Sequence, residues 1–193
     1  MSRRFTRAEL EGFRDAEVPD LLPPDGRVRL LFVGINPGLW TAATQTHFAH
    51  PGNRFYPALH RAGILPAPGD PAAGMDDAQR AALLRRGLGI TNLVRRATAR
   101  ADELTAAELR EGGERLRALV RRTPPVVVAV AGITAYRTAF GVRRAVAGRQ
   151  PDGLEGAQLW VVPNPSGLNA HETVDTLATA YARAARAAGV LPA

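Results

Sequence analysis

Four short apolar runs limit the fold more than anything else in this chain: "RLLFVGI" at 29–35, "LGITNLV" at 88–94, "PVVVAVAG" at 125–132 and "QLWVVP" at 158–163. A strand with one wet face alternates apolar and polar residues. Runs that are apolar at nearly every position belong to strands covered on both faces. Helical patterns separate them. Thr105 with Glu108 forms a capping box, and Leu109, Leu116 and Val120 then fall on one stripe. Asn169 with Glu172 predicts a second cap ahead of Val174, Leu177, Tyr181, Ala184 and Ala188. Shorter helices are expected within 53–65, 76–86 and 133–140, a surface loop at 66–74, and a turn or hairpin at 147–157. Strands alternating with helices predict a three-layer α/β/α sandwich around a central, mostly parallel four-stranded sheet. With no internal repeat or long linker, residues 1–193 read as a single domain.

The partner is narrowed by charge and by what the chain lacks. A net charge of +7 and a pI near 11.2 attract polyanions, and nucleic acid is the obvious one. All 25 basic residues are arginine, which in an alanine-rich chain fits codon usage as well as function. No run of about eighteen apolar residues could cross a bilayer, and "MSRRFTRAELEGF" lacks the apolar core of a secretory signal, so a soluble cytoplasmic protein with no membrane partner is expected. The absence of cysteine excludes disulfides, thiolate zinc sites and cysteine-ligated iron–sulfur clusters. His47 and His50 are spaced H-x-x-H, but no third ligand accompanies them at a familiar spacing. We therefore expect no metal and no cofactor; His50 is read as fixing its loop by hydrogen bonds.

In sheets of this kind ligands bind beyond the carboxyl ends of the strands. The first strand ends in "NPG" and the last in "NPSGLN". Asn36 stands before Pro37, which biases it towards extended backbone and restrains its side chain. Gly34 and Gly38 bracket it and let another molecule approach the chain. The motifs "GINPG" at 34–38, "HFAHPGNRFY" at 47–56, "GITNLV" at 89–94 and "PNPSGLN" at 163–169, in this order, resemble the mismatch-specific uracil-DNA glycosylases, the thymine-DNA glycosylase branch of the uracil-DNA glycosylase superfamily. The resemblance covers roughly residues 18–188.

This resemblance implies a monofunctional enzyme that flips uracil from G·U mismatches in double-stranded DNA and hydrolyses the N-glycosidic bond, acting as a monomer. Thymine and etheno-cytosine remain open as further substrates. The alternative is a module that binds mismatched or abasic DNA with little turnover. Asn36 matches the residue that positions the attacking water, and Gly34, Ile35, Pro37 and Gly38 form the loop around the base. Phe48 matches the aromatic that stacks on it, and Asn164 a polar contact to base or sugar. Ser166 would bind a phosphate, Gly167 and Leu168 form the wedge, and the backbone to Asn169 could read the orphaned guanine. Family members often carry arginine just after the wedge, where this chain has "NAH" at 169–171. Trp40 and Thr41 stand where better-known members have small residues. Asn92 is a second candidate for the pocket, and Arg95 and Arg96 are candidates for phosphate contact.

Overall fold

The computed structural model describes residues 5–70 and 72–193; the first four residues of the N-terminal segment and Pro71 of the 66–74 loop lie outside the described residues. The elements run α1 (Arg7–Glu11), β1 (Leu30–Gly34), α2 (Leu39–Thr44), α3 (Phe55–Arg61), α4 (Asp77–Arg85), β2 (Leu88–Asn92), α5 (Ala106–Arg122), β3 (Val127–Ala131), α6 (Ile133–Phe140), β4 (Gly148–Arg149), β5 (Gln158–Val162) and α7 (Val174–Ala187). The four apolar runs are the four parallel strands, buried along nearly their whole length as two-sided coverage requires.

Strand order is β2-β1-β3-β5-β4. The sheet has five strands where four were expected. The extra one, β4, is two residues long, pairs antiparallel with the outer edge of β5, and lies in the segment read as a turn or hairpin. A two-residue strand, one of whose residues is Gly148, carries no periodicity to detect.

Adjacent strand residues point to opposite faces, so the apolar runs feed two cores. Leu30, Phe32, Ile90 and Ala129 pack against α3, α4 and α7 through Phe55, Leu59, Leu83 and Tyr181. Leu31, Val33, Val128 and Val161 pack against α5 and α6 through Leu116, Val120 and Tyr136. This is the three-layer arrangement.

From β1 the chain crosses to β2 on one side and then returns to β3 on the other. The reversal puts the switch point of the sheet at β1 and β3, and the usual ligand position in such sheets is the crevice beyond their carboxyl ends. The expected caps divide. Thr105 and Glu108 form the capping box of α5, but α7 is capped by Thr173 with Thr176, four residues beyond Asn169. Asn169 instead turns its amide back to the carbonyl of Asn164, at 3.2 Å.

Candidate active site

The candidate site is built from four segments, after β1, around 47–54, after β2 and after β5, and register explains which residues meet. Gly34 pairs with Asn92 across β1 and β2. Past the strand ends the two chains keep bonding, from Leu93 N to Gly34 O and from Val94 N to Ile35 O, both 2.9 Å. Further on, Thr98 N donates to Pro37 O at 3.2 Å. The residues after β2 therefore track the "INPG" loop, and they hold Asn36.

The half-buried Asn36 amide donates from Nδ2 towards Thr98 Oγ1 at 2.8 Å, Pro37 O at 3.0 Å and Arg96 O at 3.2 Å. Two of these acceptors are carbonyls and can only accept, while the Thr98 hydroxyl spends its own proton on Arg100 O at 2.7 Å. The amide orientation follows: nitrogen inward, with Oδ1 receiving no hydrogen bond from any described residue. Thr98, almost fully buried, went unnoticed in the sequence because it lies 62 residues from Asn36 in a stretch with no motif of its own.

Asn92 is locked the same way. The His47 ring bonds Pro19 O through Nε2 at 2.8 Å, which makes Nε2 the donor and leaves Nδ1 of the neutral ring as an acceptor. Asn92 Nδ2 donates to Nδ1 at 3.1 Å, so Oδ1 is turned the other way, over Gly34. A Cβ on Gly34 would collide with that oxygen and lie 3.3 Å from the Phe48 ring, which is why the position must be glycine. Burial, outweighing the Pro19 carbonyl, holds His47 below its ordinary pKa and therefore neutral. Both His47 nitrogens are thus spent on protein partners, and His50 Nδ1 accepts from Gly52 N at 3.0 Å.

Phe48 has φ +58, a strained conformation for a phenylalanine. Its ring stacks on Phe55, with centroids 4.0 Å apart and planes inclined by 24°. The loop is held by Tyr56 Oη donating to His47 O at 2.7 Å and by Thr41 Oγ1 donating to Ala49 O at 3.4 Å. Thr41 is thus buried and committed to this loop, and Trp40 donates from Nε1 to Ala72 O at 3.1 Å.

The last loop faces the first across the end of β3, where the side chains nearest Gly132 are those of Ile35 and Asn164. Asn164 Oδ1 accepts from Ser166 N at 3.0 Å and closes the turn, so its Nδ2 is the end left for a ligand. Ser166 Oγ accepts from Leu168 N at 3.3 Å, and its proton stays free for another acceptor. Leu168 is 82% exposed, the most exposed of the large apolar side chains described. Arg96 is tied to Glu108 at 2.6 Å and Asp15 at 3.1 Å, whereas Arg95 reaches Glu17 and Asp20 only at 3.9 and 4.0 Å.

Two oriented amides and a stacked aromatic pair thus gather beside Gly34, past the end of β1 at the sheet's switch point. The family model described as the Uracil DNA glycosylase superfamily matches residues 19–186, and the chain belongs to that superfamily. It is accordingly a DNA glycosylase, a hydrolase of base excision repair that acts on DNA.

Proposed function

We propose that the protein excises uracil from G·U mismatches in duplex DNA, extruding the nucleotide into the crevice and hydrolysing its glycosidic bond. The observation that carries this reading is the fixed amide of Asn36. Its free Oδ1 can accept a hydrogen bond from one water and aim it, but an amide cannot take the proton as a carboxylate would. The loop from Gly34 to Thr41 contains no carboxylate. Rate enhancement then rests on geometry and on stabilising the departing base's negative charge.

The base would lie on Phe48, whose other face is already covered by Phe55. Asn92 Oδ1 would accept the N3 proton of uracil or thymine; cytosine has no proton there and would meet two acceptors face to face. Asn164 Nδ2 and Ser166 Oγ remain as donors for base or sugar and for phosphate. The chain has no lysine, so no side-chain amine can form a Schiff base with the sugar. Water is then the nucleophile, and an intact abasic site is the product.

Leu168 would fill the stack after extrusion, and mismatch preference follows because a wobble pair opens more readily than a matched one. The test is to incubate labelled duplexes bearing G·U, A·U, G·T and G·etheno-C, and cleave abasic sites with alkali. Strongest cleavage at G·U supports the proposal. Tight mismatch binding without cleavage makes the chain a binding module, and equal rates on G·U and A·U remove the mismatch preference.

A further inference from the structure

The loop that carries Leu168 has little core of its own. From Ser166 to Glu172 it reads "SGLNAHE", and most of its own hydrogen bonds stay local, such as Asn169 N to Ser166 O at 2.9 Å. A leucine presented on such a loop would adopt many positions unless the loop were tied to something rigid. Arg54, at the start of α3, provides the tie. Its backbone N donates to Pro165 O at 3.0 Å. Its Nη2 donates to Ser166 O at 3.1 Å and Asn169 O at 2.9 Å, and its Nη1 donates to Glu172 O. Among the described residues Arg54 makes no ion pair; its guanidinium is spent on three carbonyls of one loop. The planar fork suits this, since it presents several donors in fixed directions. Beside it Gly167 lies against Gly52, and a Cβ on Gly167 would stand 2.7 Å from Gly52 O.

We propose that Arg54 is the positioning residue of the wedge. It fastens the 163–172 loop to the 47–54 loop, so that Leu168 and the stacking ring of Phe48 keep a fixed separation while the nucleotide turns out. The role is indirect: Arg54 acts through Leu168, and this inference rests on the reading of Leu168 as the wedge.

The experiment compares wild type, Arg54→Met, Arg54→Lys, Leu168→Ala and the double variant Arg54→Met/Leu168→Ala. Single-turnover excision is measured on duplex G·U and on single-stranded uracil DNA, and amide hydrogen exchange on the free proteins. Arg54→Met should raise exchange across 165–172 with core strands unchanged. It should slow duplex excision by about tenfold and single-strand excision by no more than about twofold. Arg54→Lys should recover part of the duplex rate, because an ammonium lacks the fork. The double variant should be no slower than the worse single one, since both act through the same side chain. Unchanged exchange in 165–172 overturns the tie itself. Equal slowing on both substrates, or additive losses in the double variant, overturns the positioning role. Should Leu168→Ala slow both substrates equally, the wedge reading fails, and the exchange result still judges the tie on its own.

Discussion

A side-chain amide has a donor end and an acceptor end, and Asn36 and Asn92 each have their donor end committed to protein partners. For Asn36 the commitment runs through Thr98, so both residues should matter to the chemical step. Asn36→Ala is expected to lower the single-turnover rate by ~10²-fold or more with duplex binding within a few-fold, and a rate equal to wild type would remove it from the mechanism. Thr98→Val keeps the shape but deletes the acceptor at 2.8 Å, and should cost about tenfold in the same assay without weakening binding. For Asn92 the commitment runs through neutral His47. Burial lowers the folded pKa of His47 below its unfolded value, so its contribution to stability is complete above about pH 6.5 and is lost as pH falls towards the folded value. Protonated Nδ1 would also meet the Asn92 donor, so the pocket is disrupted over the same range. Uracil excision and melting temperature should both decline below about pH 6.5, and His47→Gln should lack that part of the melting decline. An identical melting profile in the variant would show that another group titrates.

At the scale of elements, the chain's local signals were legible and its long-range ties were not. The parallel strands show as continuous apolar runs and the start of α5 as a capping box, because both depend on neighbours in sequence. The α7 cap was misplaced because Asn169 and Glu172 satisfy the same spacing as Thr173 and Thr176, and only the folded loop shows that Asn169 is used elsewhere. The short helices α1 and α2 went unread; α2 has six residues and no side-chain cap at Gly38. Asn36, Phe48 and Leu168 stand out as candidates because each lies in a compact motif. Thr98 and Arg54 do not, since what ties them to the candidate site is bonds spanning 62 and 112 to 118 residues. The loop of the proposed wedge gives the test that belongs to this scale. Leu168→Ala should slow excision from duplex G·U by about tenfold, where the hole in the stack must be filled, and barely alter single-stranded uracil.

For the whole molecule the question is where the excess positive charge can meet a phosphate backbone. The sequence treats Arg95 and Arg96 alike, as neighbours just past the carboxyl end of β2. The fold separates them. Arg96 is held by Glu108 and Asp15, and the bonds from Arg96 and Thr105 push the Glu108 carboxyl down to about 2. Moving that guanidinium to a phosphate would strand two carboxylates beside the polyanion. Arg95 has only distant acids at 3.9 and 4.0 Å, and its side chain is 44% exposed, so it can turn to DNA at little cost. Each phosphate neutralised adds about 0.9 to the slope of log affinity against log salt. Binding of undamaged duplex, measured from low to moderate salt, should therefore lose about one unit of slope in Arg95→Ala and essentially none in Arg96→Ala. Arg96→Ala should instead lower the melting temperature, because it leaves Glu108 and Asp15 without their cation. A slope change in Arg96→Ala equal to that in Arg95→Ala would mean that DNA breaks the internal ion pairs. No change in either would put the DNA backbone on a different edge of the crevice.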